Sequence, residues 1–253
     1  MFRFLLETRL LLVRCLKSTL RTPVWVIMGL FQPVLYLLLF APLLDNLSFP
    51  GLGSTHPLNI FTPGLLVMMA LFGAGFAGFS IIQDLRSGVI ERLRVTPASR
   101  LAMLLGMILR DVIVLLVQCV LLLLIGMFMG LTIDPLGALL LFGLMLIIGL
   151  MMASLSYALS LLLKDEGAMA ATINVLVLPL MLLSGVMLPI SLAPQILQNI
   201  AKATPFSYAV DAARAMVNGH LGDQSIVIAL TLSGILMILA LLWATRIFRK
   251  AVA

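Results

Sequence analysis

The charged residues of this chain are concentrated in one short segment, residues 84–100, with the sequence DLRSGVIERLRVTPASR. It carries four arginines and two carboxylates between two runs of almost purely apolar residues. Guanidinium and carboxylate groups form charge-assisted hydrogen bonds with complementary partners. The segment is therefore predicted to dock another protein. The alternative is a basic loop that only fixes the orientation of the neighbouring helices.

The order of residues in this segment predicts a rigid docking element. Val89, Ile90 and Leu93 form an apolar ridge if they lie on a short helix, and charged residues flank that ridge (Arg86, Glu91, Arg92 and Arg94). Thr96 and Pro97 suit the N-cap and N1 positions of the next helix. A push on the segment would then pass directly into the following apolar stretch.

The other reactive side chains do not indicate catalysis. Ser154 or Ser184 would need a nearby base to act as a nucleophile, and His56 and His220 lie in predicted outer loops. These histidines are too isolated in the sequence to predict a zinc site, and the two cysteines form no CxxC motif. No Gly-Lys dipeptide occurs, so a P-loop is missing. The chain by itself cannot be a P-loop ATPase, and a hydrolase function is disfavoured.

Polar groups inside the apolar stretches are few. Arg110 and Asp111 lie near a predicted cytoplasmic helix end, where snorkelling to the interface would explain them. Neutral side chains are predicted to bond between helices, and lining a path for an amphipathic solute is the open alternative. They are Gln32, Gln118, Thr172, Asn174 and the hydroxyl residues of ASLSYALS at 153–160.

Composition places these residues in a membrane. Of 253 residues, 62% are apolar and 10% charged, and the mean hydropathy is +1.22; soluble proteins carry about 25% charged residues. A helix needs about 20 apolar residues to cross the bilayer core. The chain is predicted to be an all-α membrane protein with a single domain, residues 1–253. Its six predicted spans are 24–44, 57–82, 101–131, 135–163, 168–190 and 225–245.

Residues 1–22 are predicted to form an amphipathic helix on the membrane surface. On a helical wheel, Arg3, Glu7, Arg14, Lys17 and Arg21 fall within an arc of about 80°. Such a strip suits anionic lipid headgroups. No cleaved signal peptide is expected, because charges recur throughout this segment. In the second span, Ala70, Ala74 and Gly78 permit close helix packing, either within the chain or with another subunit.

Orientation follows from lysine and arginine alone. Fourteen of the sixteen cations fall on one side of the predicted spans, and only Lys202 and Arg214 fall on the other. Both termini and residues 84–100 are therefore predicted to be cytoplasmic.

Residues 84–100 resemble the cytoplasmic loop of the permease subunits of type-2 ABC exporters. The matching positions are Arg86, Gly88, Glu91, Leu93, Pro97 and Arg100. The resemblance implies that this loop, with Arg92 and Arg94, couples the chain to a nucleotide-binding subunit.

Residues 188–219 resemble the family segment between the last two spans. The matching residues are Pro205, Phe206, Tyr208, Asp211, Arg214 and Gly219. The resemblance implies two short re-entrant helices over an exit path, within residues 191–223. Pro194 and Pro205 suit helix starts, Gly219 suits a helix end, and Asp211 with Arg214 are spaced as an i,i+3 pair.

The family implies ATP-driven export of a hydrophobic or amphipathic solute, such as a drug, antibiotic or lipid. It implies two permease chains, predicted to be a homodimer, two ATPase subunits that bind ATP and Mg, and a prokaryotic inner membrane. No cofactor is expected in this chain, and no nucleic-acid partner. Export of a polysaccharide or lipid-linked glycan, a stand-alone channel or secondary transporter, and a membrane scaffold are the competing functions.

Overall fold

A computed structural model describes residues 2–21, 24–45, 57–89, 99–186, 194–202 and 204–251. These residues are helical apart from short turns and contain no β-strand. The helices are α1 (Phe2–Arg21), α2 (Val24–Asp45), α3 (Pro57–Gly75), α4 (Phe79–Arg86), α5 (Arg100–Phe128), α6 (Pro135–Leu163), α7 (Glu166–Leu183), α8 (Gln195–Lys202), α9 (Pro205–Val217) and α10 (Gln224–Ala251).

The described part of the chain has five to six candidate membrane spans where the sequence predicted six, and their ends differ from the predicted ones. Within the described residues, five segments are long and apolar enough to cross a membrane, and a sixth is added when α1 and α2, bent by 66°, are counted together. α7 ends at Leu183, short of the predicted 190. α10 continues to Ala251, so the basic residues predicted as a tail belong to the same helix.

α6 is the central helix of the bundle. It packs against α3, α5 and α10, and side chains such as Leu144, Ile148 and Tyr157 are fully buried. Its start is fixed locally, because Pro135 occupies the first turn and the Asp134 carboxylate accepts from the amides of Leu136 and Gly137. Such caps satisfy backbone groups that the helix leaves free.

The second predicted span is not one continuous helix. α3 ends at Gly75, and α4 begins at Phe79. Between them the chain makes tighter bonds to the third preceding residue, such as Phe79 N to Phe76 O at 3.1 Å. The span predicted over 57–82 falls on one apolar segment, 58–86, that is long enough to cross a membrane. The hydroxyl of Ser156 on α6 bonds the freed backbone of the turn within it.

α1 lies across the start of α5. Gly106 permits this approach, since a Cβ there would lie 3.0 Å from the Leu11 Cβ. Other leucines of α1, including Leu5, Leu10 and Leu20, remain exposed.

α8 and α9 are two short helices between α7 and α10. α8 begins directly after Pro194, and α9 begins at Pro205. Gly219 adopts φ +76, and the amide of His220 bonds the Ala215 carbonyl at 2.9 Å. This is the Schellman end that the glycine predicted.

Candidate functional site

The docking segment is described at its two ends. Arg86 closes α4, Gly88 follows with φ +68, and Arg100 opens α5. Five of the predicted coupling residues lie outside the described part of the chain: Glu91, Arg92, Leu93, Arg94 and Pro97.

Both ends of the segment are bound to other helices. The Arg86 guanidinium lies 3.2 Å from a Glu166 carboxylate oxygen and 3.8 Å from that of Asp165, at the turn between α6 and α7. Arg100 donates to the Arg249 carbonyl on α10 at 3.3 Å. Because all three side chains of the Arg86 group are about half exposed, their ion pairs contribute little stability. They show instead which helices meet at this end of the bundle, here called the basic end.

The start of α5 is set by Ser99. Its backbone is extended, and its hydroxyl accepts from the Ala102 amide at 3.2 Å. The predicted cap at Thr96 and Pro97 was therefore wrong for this helix. The Ser99 amide in turn donates to a Glu7 carboxylate oxygen at 2.9 Å, so α1 holds the point where the docking segment enters α5.

A buried polar cluster joins three helices just inside the basic end. Its members, here called the ionic cluster, are Ser80 of α4, Arg110 and Asp111 of α5, and Tyr157 of α6. The Arg110 and Asp111 side chains are 2.6 Å apart. The Tyr157 hydroxyl donates to Asp111 at 2.6 Å, and Arg110 donates to Ser80 at 3.0 Å and to Tyr157 at 3.1 Å. The hydroxyl oxygens of Ser80 and Tyr157 are 2.9 Å apart.

The interpretation of Arg110 and Asp111 as snorkelling residues was wrong. Only 15% and 16% of their side-chain surfaces are exposed, and Tyr157 is fully buried. Arg110 lies ten residues along α5 from Arg100, a distance of about 15 Å. Charges inside a bilayer are costly and mark functional sites by default. That rule was the sequence signal for the two charges. Tyr157 belongs to the hydroxyl residues of 153–160 that were predicted to bond between helices, as it does here, whereas Ser80 carried no signal.

The ionic cluster lies beside the break between α3 and α4. The Gly78 amide donates to the Ser156 hydroxyl at 2.8 Å, and that hydroxyl donates to the Gly75 carbonyl. Ala70 and Ala74 are buried, and a Cβ at Gly78 would overlap the Ser160 hydroxyl. Gly78 therefore serves packing between helices of the same chain.

At the opposite end of the bundle, Arg214 binds α9 to two other elements. Its guanidinium donates to the Ile60 carbonyl at 3.1 Å and to the Gly185 carbonyl at 2.7 Å. The expected i,i+3 pair with Asp211 is formed at 3.7 Å, with 11% of the Arg214 side chain exposed and 60% of that of Asp211. Burial lowers the pKa of Arg214, and the nearby Asp211 carboxylate opposes this shift. The guanidinium stays cationic at neutral pH.

A second set of contacts holds the end of α9. The Asn59 side-chain amide donates to the Thr132 carbonyl at 3.1 Å and to the Asn218 side chain at 3.3 Å. A Cβ at Gly137 would overlap the Met216 carbonyl, and one at Gly64 would overlap the Val186 carbonyl. α6 therefore approaches α9 at Gly137, and α3 approaches the segment after α7 at Gly64, so closely that only glycine fits.

The remaining residues predicted for the outer gate all belong to α9 or its end. Pro205 occupies the first turn, and Phe206 is buried. The Tyr208 hydroxyl donates to the Lys202 carbonyl at 3.1 Å, which joins α9 to α8. Their role in gating stays a prediction.

Neutral polar groups within the spans divide into two kinds. Gln118 of α5 donates to the Val26 carbonyl of α2 at 2.8 Å, as predicted for a bond between helices. Asn174, Thr172 and Ser154 instead bond carbonyls of their own helix. In the described ranges, no three His, Cys, Asp or Glu side chains are grouped as metal ligands would be.

Comparison with known proteins gives consistent matches. A family model described as ABC-2 type transporter matches residues 7–218. The proposed transport permease ycf38 of Cyanophora paradoxa is 32% identical over 219 residues, which cover 84% of this chain and 74% of that protein. The ycf38 protein of Pyropia yezoensis is 29% identical, over 82% of this chain and 72% of its own. The daunorubicin resistance ABC transporter permease protein DrrB1 of Streptomyces coeruleorubidus is 26% identical over 94% of this chain and 84% of its own.

Proposed function

Since the chain belongs to the ABC-2 type transporter family as a permease, we propose that it is the transmembrane subunit of an ATP-driven exporter. ATP hydrolysis belongs to a separate ABC ATPase subunit, which binds ATP and Mg. Two permease chains, in a homodimer, and two ATPase subunits form the complex. The complex lies in a prokaryotic inner membrane, with both termini of each permease in the cytoplasm.

The observation that carries this proposal is the anchoring of residues 84–100 at the basic end. The segment leaves α4 at Arg86, bound to the α6–α7 turn, and enters α5 at Ser99 and Arg100, bound to α1 and α10. A force applied to the segment therefore reaches several helices at once. The coupling residues in its middle, from Glu91 to Pro97, receive that force from the ATPase.

The mechanism requires two conformations that the nucleotide distinguishes, because a ligand that binds both equally shifts neither. ATP closes the ATPase dimer, which presses on the docking segment and moves α4 and α5. Cargo then leaves near α8 and α9, where Pro205, Phe206, Tyr208, Asp211, Arg214 and Gly219 form and secure the outer gate. α1 lies at the lipid interface, with leucines such as Leu5 and Leu10 toward the acyl chains.

The cargo is a hydrophobic or amphipathic solute. Large apolar side chains dominate the exposed surfaces of the spans, among them Val175 and Leu182 of α7. A charged or strongly polar solute would find few partners there. The relative named for daunorubicin resistance supplies a first compound to test.

The test uses the chain co-expressed with a candidate ABC ATPase subunit that carries a P-loop, in proteoliposomes with daunorubicin. We expect co-purification and drug-stimulated ATP hydrolysis. Neutralising Glu91, Arg92 and Arg94 to glutamine should abolish most of the stimulation, whereas Lys250→Gln, exposed at the same end, should retain it. Equal activity of the two variants, or drug movement without the ATPase, would contradict the proposal.

A further inference from the structure

α4 is the element that receives a push on the docking segment first, and its attachment decides where that push goes. It is eight residues long and is separated from α3 by the turn at Phe76–Gly78. Its Ile81 and Ile82 are buried, and the flank beside α6 and α10 borders an open surface pocket of about 250 Å³ lined by Ile82, Leu85, Arg86, Leu161, Lys164 and Ala251.

The ionic cluster supplies a specific attachment next to the turn. Ser80, in the first turn of α4, contacts both Arg110 of α5 and Tyr157 of α6 within 3.0 Å. Its single hydroxyl proton can go to the Tyr157 hydroxyl or to the Ala77 carbonyl, which lies 2.8 Å away inside the turn itself. One hydroxyl thus joins the break, α5 and α6.

The two charges in this cluster are paired with each other and hydrogen-bonded by neighbouring side chains. Asp111 accepts from Arg110 and from Tyr157, and Arg110 reaches three acceptor residues. Since a buried charge that loses its partner is strongly disfavoured, the cluster has few alternative arrangements. It behaves as a rigid joint next to a backbone break.

We propose that Ser80, Arg110, Asp111 and Tyr157 are positioning residues that lock α4 to α5 and α6. Through this lock, movement of the docking segment passes from α4 to α5 and α6 together. The inference rests on the proposed export function and adds the route by which the force enters the spans. Without the lock, α4 moves alone and ATP hydrolysis is separated from transport.

Ser80→Ala is the sharpest variant, because it frees α4 and leaves the Arg110, Asp111 and Tyr157 contacts in place. Tyr157→Phe is the second variant, since it removes the hydroxyl that bonds both Asp111 and Ser80. Ser154→Ala is the matched control: its hydroxyl is also buried on α6, but it bonds only the Leu150 carbonyl of its own helix.

Hydrogen exchange of the purified chain in lipid nanodiscs tests the lock without ATPase or cargo. We expect amides 79–86 to exchange about tenfold faster in Ser80→Ala and Tyr157→Phe, as loss of one buried hydrogen bond predicts. Amides 205–217 should not change, and the control should match the parent chain throughout. Unchanged exchange in both variants, or equal acceleration in every helix, would overturn the proposal.

The complex with its ATPase gives the second readout, the amount of daunorubicin moved per ATP hydrolysed. Ser80→Ala should lower this ratio several-fold while ATP hydrolysis persists, which a loss of overall stability would not produce. A parent complex that neither hydrolyses ATP nor moves drug would refute the export function, while the exchange result would still decide the lock. Parent-like ratios in both variants would refute the lock alone.

Discussion

At the scale of the residue, two kinds of residue fix how the helices pack: buried charged residues and glycines at close contacts. Arg110 and Arg214 are both largely buried, one near each end of the bundle. Each satisfies its guanidinium with groups from other helices or the segments joined to them, Arg110 with side chains and Arg214 mainly with backbone carbonyls. Burial without such partners would cost several kcal/mol.

Glycine at position 78 is predicted to be irreplaceable. In Gly78→Ala, the Cβ would overlap the Ser160 hydroxyl and lie 2.5 Å from the Ser156 carbonyl oxygen, so α6 and the turn must separate. We expect a loss of about 1–3 kcal/mol, the usual cost of overpacking, measured as a lower Tm of the purified chain in detergent.

Gly143→Ala is the control for this change. Gly143 lies on α6, the helix against which Gly78 packs, with nothing within 4 Å of its Cβ position, and alanine favours a helix over glycine by up to about 1 kcal/mol. Its Tm should stay equal or rise. Equal losses in the two variants would show that Gly78 is not a packing contact.

At the scale of the element, the short helices matter because of how they are attached. α4 follows a break and is held by side chains, whereas α9 is held by a close backbone approach to α6 at Gly137 and by the bond from Arg214 to the Ile60 carbonyl of α3. α9 is therefore fixed to the bundle, and movement near it requires movement of the helices to which it is bound.

Removing the α9 anchor should loosen that helix selectively. Arg214→Ala would leave the Ile60 and Gly185 carbonyls without this donor, and each such loss costs about 1–3 kcal/mol. We expect faster hydrogen exchange across 205–217 and a lower Tm, with Arg214→Lys intermediate because an ammonium cannot reproduce the planar fork. Lys202→Ala, on exposed α8 surface, is the control. Parent-like exchange in Arg214→Ala would contradict the anchor.

At the scale of the whole molecule, the two ends of the bundle differ in chemistry. The basic end gathers Arg86, Lys164 and Arg249 with the docking segment, and the opposite end gathers Asn59, Thr132, Arg214 and Asn218. The positive-inside rule predicts that the basic end faces the cytoplasm.

That orientation is testable by labelling single cysteines in a chain whose Cys15 and Cys119 are replaced by serine and alanine. A membrane-impermeant maleimide added to intact cells should label Asp223→Cys, in the exposed turn before α10, and should not label Glu166→Cys, at the start of α7. Inside-out vesicles should show the reverse pattern. Labelling of residue 166 in intact cells would refute the orientation and, with it, the cytoplasmic docking segment.

The sequence by itself determined the helical class, the approximate spans and several helix ends. A bilayer core demands about 20 apolar residues from each helix, and caps such as Asp134, Pro205 and Gly219 act on neighbouring backbone within a few residues. These are local or compositional constraints, which can be read directly along the chain.

Only the tertiary structure decided the break at Phe76–Gly78, the partners of Arg110 and the acceptors of Arg214. The turn at Gly78 is bonded by Ser156, which lies 78 positions further along the chain, and Asp111 is bonded by Tyr157 from another helix. Arg214 binds main-chain carbonyls, which every residue carries. The physical reason is that burial and hydrogen bonding between helices depend on which helix faces meet. The order of apolar and polar residues along the sequence does not contain that information.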